Sequence, residues 1–220
     1  MTRDRANFLS YVFIVVAVAV SAYLYPSLPD PMPTHWNIKG EVDGYMPKPW
    51  GVVVLPLSAI VVFVVMRLIP VISPQGYRTD QFSQFLNIFQ VAMVAFMSFV
   101  TILVLLEAKG IDVRINQMIF AAIGILFIII GNYFGNLRKN FLLGIRTPWT
   151  LTSDEVWART HKLGGRLLIL MGLVWLFGAL YAVPPGWIIG MILLMAFVPV
   201  VYSYFIYRQV EGFKDKKDDV

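Results

Sequence analysis

One stretch decides the fold of this 220-residue chain: residues 167–207, which read LLILMGLVWLFGALYAVPPGWIIGMILLMAFVPVVYSYFIY and contain no charged side chain. A membrane-spanning helix needs about 20 mostly apolar residues, because the hydrocarbon of a bilayer is about 30 Å thick and each helical residue rises about 1.5 Å. The stretch is therefore too long for one span. Pro184 and Pro185 divide it, because proline removes a helical hydrogen-bond donor. The sequence predicts two spans here, separated by a turn at residues 183–187.

Four more apolar segments precede this stretch, at residues 6–29, 51–72, 81–106 and 115–137. The first is longer than the apolar core of about 7–15 residues that a cleaved signal peptide has, so we expect it to be retained as a helix. Charged residues make up only 14% of the chain, against about 25% in soluble proteins. This composition excludes a soluble globule and a disordered chain. We predict an all-α polytopic integral membrane protein, with six transmembrane helices forming one domain over residues 1–220.

The positions of lysine and arginine predict the orientation, because cytoplasmic segments of membrane proteins are enriched in both residues. With the N-terminus inside, the inner segments hold fourteen of the eighteen lysines and arginines, and the outer loops hold four. Both termini are therefore predicted to be cytoplasmic, in a multi-pass protein of the cell membrane. The net charge of +5 is explained by this asymmetry, so we expect contact with the lipid bilayer and no direct binding of nucleic acid.

The first outer loop, residues 26–50, holds one group of candidate site residues. Six of the thirteen prolines of the chain lie here, which disfavours helix, and we expect a short extended run at residues 34–38. His35, Glu41 and Asp43 fit a zinc site or a pH-sensitive pair. One histidine and two carboxylates make a poor zinc set, however. We therefore favour a compact loop held by an imidazole hydrogen bond and expect no bound metal.

The inner loop between the fourth and fifth spans, residues 136–165, holds the second group. Thr152 and Glu155 have the spacing of a capping box, which predicts the start of a helix. We expect an amphipathic elbow on the cytoplasmic membrane surface that leads into the fifth span. Its basic residues would face anionic headgroups, and Trp149 and Trp157 would lie at the interface.

His161 and the glycine pair that follows it have two interpretations each. The imidazole could act as a general base, or it could make structural hydrogen bonds, which we favour because no partner nucleophile is apparent. Gly164 and Gly165 permit either a kink or close helix packing, and we favour packing.

The residues that are missing exclude several classes of function. The chain has no cysteine, so disulfides and thiolate chemistry are impossible. It also lacks the His-Glu-x-x-His and Gly-x-Ser-x-Gly motifs of common hydrolases. Ion-coupled transporters place carboxylates or histidines inside the membrane, and the predicted spans contain none. We expect neither an enzyme nor a cofactor, although a metal-dependent membrane enzyme using His35, Glu41 and Asp43, or His161, is an open alternative.

Two motifs resemble a known family. Residues 140–161, NFLLGIRTPWTLTSDEVWARTH, preceded by Gly131 and Asn132, resemble the hallmark of SdpI-type bacterial immunity proteins. Residues 28–37, LPDPMPTHWN, with the glycines and aspartate that follow, resemble the outer module that often accompanies it. The matching outer residues are His35, Asn37, Gly40 and Asp43. The matching inner residues are Asn140, Gly144, Arg146, Thr147, Pro148, Trp149, Trp157 and His161.

The resemblance implies a protein that acts by binding and not by catalysing a reaction. It suggests a membrane immunity protein that protects the cell from a secreted antimicrobial peptide toxin, with the toxin as partner on the outer face. It also implies that a cytoplasmic repressor of the ArsR-like type is held at the membrane. The alternative is a membrane signal transducer without an immunity role.

Overall fold

The computed structural model describes residues 1–37, 39–73, 82–140, 143–181 and 185–212. Within them, helices dominate and one antiparallel pair of strands occurs. The elements in chain order are α1 (Arg3–Leu24), β1 (Met32–Trp36), β2 (Val42–Met46), α2 (Lys48–Ile72), α3 (Ser83–Ala108), α4 (Ile115–Phe134), α5 (Pro148–Thr152), α6 (Asp154–Leu180) and α7 (Pro185–Val210).

Six of these helices are long and apolar enough to cross a membrane: α1, α2, α3, α4, α6 and α7. The prediction of an all-α, six-span membrane protein is therefore confirmed. The division of the long apolar stretch is confirmed as well, because α6 ends at Leu180 and α7 begins at Pro185. Residues 183 and 184 of the predicted turn lie outside the described residues, and residues 185–187 begin α7 instead of belonging to the turn. Large apolar side chains such as those of Val53 and Phe197 point outward along the spans, as expected for surfaces in contact with lipid.

The spans form two groups of three. Helices α1, α2 and α3 contact one another, α6 contacts both α4 and α7, and α3 joins the groups by contacting α4. In the first group, α1 turns a row of small residues inward. Ser10 on this row is fully buried, and its hydroxyl accepts a hydrogen bond of 3.1 Å from the side-chain amide of Gln90 on α3. Small residues at such contacts let two helix backbones approach closely.

The second group depends on two reciprocal glycine contacts between α4 and α6. A Cβ atom at Gly131 would meet the carbonyl oxygen of Gly165 at 2.7 Å, and one at Gly165 would meet that of Gly131 at 2.6 Å. Gly124 and Gly172 make the same reciprocal contact two helical turns away, at 2.7 and 2.6 Å. These backbones therefore touch without intervening side chains. The prediction that Gly165 serves close packing is confirmed.

Two hydrogen bonds and one apolar cluster place both ends of the described chain at one end of the bundle. The side chain of Asn87, near the start of α3, donates to the carbonyl of Met1, and the hydroxyl of Thr147 before α5 bonds that of Ser203 near the end of α7. The start of α3 and the start of α6 lie together, because Phe85 and Trp157 belong to the same buried cluster. We call this end, which also carries α5 and the start of α6, the inner end. The opposite end, which carries the two strands, is the outer end.

Candidate functional site

The first outer loop folds into a β-hairpin over the outer ends of the spans. Strand β1 pairs antiparallel with β2, with Met32 opposite Met46 and Trp36 opposite Val42. Met32 is fully buried in a cluster of apolar side chains from α1, α2, α3 and α4. Of the extended run expected at residues 34–38, residues 34–36 belong to β1, Asn37 begins the turn, and residue 38 lies outside the described part. The sequence did not indicate the second strand, because Asp43 and Gly44 at its centre are poor strand formers.

Asn37 organises the turn of the hairpin. Its carbonyl accepts a hydrogen bond from the amide of Gly40, whose φ of +83° suits glycine, and its side-chain oxygen accepts from the amides of Lys39 and Glu41. The side chain of Asn116, at the start of α4, donates to the carbonyl of Asn37 and ties the turn to the bundle. Asn37 and Gly40 therefore have a structural role in shaping this loop.

His35 and Asp43 lie together on the exposed surface of the hairpin. The imidazole Nδ1 is 2.5 Å from a carboxylate oxygen of Asp43, and the His35 side chain is 71% exposed. Gly44, opposite His35, is required by space, since a Cβ there would meet the Cβ of His35 at 2.8 Å. The expected imidazole hydrogen bond is confirmed.

The zinc alternative for His35, Glu41 and Asp43 is not supported. The carboxylate of Glu41 accepts a hydrogen bond from the side-chain amide of Asn37, whereas the carboxylate of Asp43 contacts His35. Among the described residues, no three histidines or carboxylates approach one another closely enough to hold a metal ion.

At the inner end, Thr147 is the N-cap of the short helix α5 and forms a capping box with Thr150. The Thr147 hydroxyl accepts a hydrogen bond from the amide of Thr150, and the Thr150 hydroxyl accepts one from the amide of Thr147. Pro148 occupies the first helical position, where a missing amide hydrogen costs nothing. The Thr147 hydroxyl also lies 2.9 Å from that of Ser203 on α7. Both threonines are buried, so the motif joins α5 to the last span.

The capping box predicted at Thr152 and Glu155 is wrong. Helix α6 begins at Asp154 with Ser153 as its N-cap, and the Ser153 hydroxyl accepts from the amide of Val156. The Thr152 hydroxyl instead donates to the carbonyl of Pro148, inside α5. The sequence offers several capping residues in a row here, and the preceding short helix determines which of them is used. From Asp154 to Leu180 the helix is continuous, so the elbow runs directly into the fifth span.

His161 is the buried centre of the inner loop. The amide of Ile145 donates to its Nε2 at 3.0 Å, so that nitrogen carries no proton, and Nδ1–H donates to the carbonyl of Trp157 at 2.8 Å. The imidazole is fully buried and stacks on the Trp157 indole with ring centroids 4.0 Å apart. Nε2 therefore holds Ile145 against α6, and the bond from Nδ1 to the same helix fixes the orientation of the ring. This geometry supports the structural interpretation of His161.

Gly144 makes the close approach of this loop possible. Its φ is +122°, and a Cβ there would overlap His161 Nε2 and lie 3.0 Å from the Trp157 ring. On the other side of the loop, the side chain of buried Asn140 accepts from the amide of Leu143 and donates to the carbonyl of Arg138. The two motif residues between them, 141 and 142, lie outside the described part of the chain.

The two tryptophans have different environments. Trp157 is only 2% exposed, and its indole nitrogen donates to the carbonyl of Leu137 at 2.7 Å. Its predicted interfacial position is wrong, because the loop folds over it and supplies a hydrogen-bond acceptor inside the protein. Trp149 is partly exposed at the inner end and packs edge-to-face on Tyr204 of α7.

Arg146 differs from its motif neighbours in being exposed. It forms no ion pair with any residue that the structure describes. The ion pairs that the described part of this loop forms are Lys139 with Asp154 and Arg159 with Glu155. In the described residues, the inner motif is therefore a buried polar network from which the exposed Arg146 projects. Sequence reasoning missed Thr150 and Ser203 in this network; the Thr147-Pro148 pair, a common N-cap pattern, was the signal for the former.

Comparisons with known proteins agree with both motifs. The profile of the SdpI/YfhL protein family matches residues 136–203, and that of a domain of unknown function, DUF1648, matches residues 12–60. The chain is 24% identical over 212 residues to the protein named Immunity protein SdpI from Bacillus subtilis (strain 168), a match that covers 94% of this chain and 99% of the relative. No solved structure matches.

Proposed function

We propose that this chain is an SdpI-type membrane protein and that it protects the cell that makes it from a secreted antimicrobial peptide. The observation that carries the proposal is the end-to-end likeness to Immunity protein SdpI, which includes both the outer and the inner linker. The protein acts by binding rather than by catalysis. It resides in the cytoplasmic membrane with the inner end, and hence both termini, in the cytoplasm.

The outer end is the proposed contact surface for the toxin. The hairpin is held rigidly by Met32 in the apolar cluster and by the turn bonds of Asn37. Beside it, the aromatic side chains of Tyr23, Tyr45 and Trp50 are 81%, 63% and 65% exposed. Exposed aromatic side chains on a rigid scaffold bind an amphipathic peptide at little cost in side-chain entropy.

A heterologous host tests the protection. Expression of the chain in a sensitive strain should allow growth in the presence of the cognate peptide, taken from the secreted peptides encoded beside the native gene. Tyr45→Ala should weaken protection about tenfold, the usual effect of losing an aromatic anchor at an interface. Phe8→Ala is the matched control, because Phe8 is 67% exposed but lies near the start of α1, towards the inner end. Killing of the expressing strain by every neighbouring peptide would contradict the proposal.

Recruitment of a cytoplasmic repressor is a second candidate function, favoured by the exposure of Arg146 at the inner end. An unpaired arginine on a rigid loop is suited to bind a carboxylate of a soluble partner. His161 cannot contact such a partner directly, because it is fully buried.

Arg146→Ala should therefore abolish co-purification of the repressor with membranes after toxin exposure. Arg208→Ala, which removes an exposed arginine at the inner end of α7, should leave it unchanged. Equal recruitment by wild type and Arg146→Ala would remove the arginine from any binding role.

A further inference from the structure

A groove of about 640 Å³ opens between α4 and α6 at the inner end. Small residues line it: Gly135 on the turn after α4, Ala158 on α6, and the pair Gly131 and Gly165, whose backbones touch. The network around His161 leaves these residues unused, since it lies on another face of α6. The groove is thus a separate feature of the fold.

The two walls of the groove carry complementary polar groups. Arg159, Lys162 and Arg166 recur every three or four residues on α6 and line one wall. Asn132 and Asn136, four residues apart, line the other. The lining includes one carboxylate, that of Glu155, which is 2.6 Å from the guanidinium of Arg159. Lys162 and Arg166 make no ion pair with the described residues, so the groove has an excess of two positive charges.

The depth of the groove indicates an amphipathic occupant. Arg166 is the last charged residue before the uncharged stretch 167–207, and Ile169 lines the groove one turn deeper. The groove therefore extends from the aqueous side to the start of the hydrocarbon. A free phosphate would fill only its upper part, whereas a phospholipid would place its phosphate beside the cations and an acyl chain over Ile169.

We propose that this groove binds the phosphate of an anionic phospholipid headgroup, such as that of phosphatidylglycerol. Arginine and lysine hold the phosphate by charge-assisted hydrogen bonds, and the two asparagine amides reach the headgroup oxygens. Basic pockets between membrane helices on the cytoplasmic side have the right chemistry for such headgroups. The bound lipid bridges α4 and α6 at the end where the glycine contacts hold them together.

Binding is tested on the purified full-length protein by native mass spectrometry and by thermal unfolding in detergent. Added phosphatidylglycerol should stabilise the wild type more than phosphatidylcholine does. The double variant Lys162→Gln with Arg166→Gln should bind phosphatidylglycerol at least about tenfold more weakly than the wild type. In native mass spectrometry it should retain about one lipid molecule fewer. Arg138→Gln with Arg208→Gln removes the same charge from exposed positions outside the groove and should behave as wild type.

A second variant tests the shape of the groove independently of its charged side chains. Ala158→Leu keeps every charged group but fills the space, and Ala158 is exposed, so the helix should tolerate the change. It should reduce retention of phosphatidylglycerol as the double variant does. Unchanged lipid retention in both variants would overturn the proposal. Equal stabilisation by inorganic phosphate would also overturn it, by showing that the site binds a soluble anion.

Discussion

Adding one methyl group in Gly131→Ala should destabilise the protein by about 1–3 kcal/mol, the usual cost of overpacking a tight contact. The new Cβ would lie 2.7 Å from the carbonyl oxygen of Gly165 and 2.9 Å from the amide nitrogen of Ile169, both of which are backbone atoms. Neither can rotate away as a side chain does. Helices α4 and α6 must therefore separate, which loosens the largest contact in their half of the bundle.

The sign of this effect is informative, because helix propensity predicts the opposite result. Alanine is favoured over glycine inside a helix by about 1 kcal/mol in water. Gly190→Ala in α7 isolates that effect, since a Cβ at Gly190 has no described atom within 4 Å. Thermal unfolding in detergent should show a lower midpoint for Gly131→Ala and an unchanged or slightly higher one for Gly190→Ala. Equal midpoints for the two variants would show that the α4–α6 backbones are not in contact.

The spans could be predicted from the sequence because the bilayer imposes a length and an apolar composition on each helix independently of its neighbours. The partners of each helix could not. Gly131 and Gly165 are 34 positions apart, and nothing local marks them as a pair. The prediction that Gly165 packs closely was correct in kind, but only the structure shows that Gly131 is its partner.

In the candidate sites, too, local features could be predicted from the sequence and long-range contacts could not. Turn and cap residues such as Asn37 and Thr147 act on amides a few positions away, so local spacing marks them as candidates. Spacing alone did not choose among the successive capping residues, and the box expected at Thr152 was wrong for that reason. The environment of Trp157 cannot be read from spacing, because it depends on Leu137 and Gly144, which lie against the indole ring from the preceding loop. A tryptophan near a predicted membrane surface indicates an interfacial position only when no other segment covers it. The same covering loop converts His161 from an apparent surface residue into a buried one.

The two histidines of the chain should differ strongly in how much they contribute to stability. His161→Ala should destabilise the protein by about 3–5 kcal/mol, whereas His35→Ala should cost about 1 kcal/mol or less. At position 161 the change removes a fully buried ring and leaves the amide of Ile145 without its described partner. At position 35 the lost hydrogen bond to Asp43 is exposed, and water replaces it.

Stability and protection measured together decide what His161 does. If the imidazole is structural, His161→Ala should lose folded protein and protection in parallel, and protection per folded molecule should change little. A variant with normal thermal unfolding but no protection would contradict this, because it would assign the imidazole a role in chemistry or in contact with a partner. The hydrogen bonds argue for the first result. Nε2 accepts from Ile145, so a proton there would break the bond between the loop and α6, and Nδ1–H already donates to the carbonyl of Trp157 within the helix.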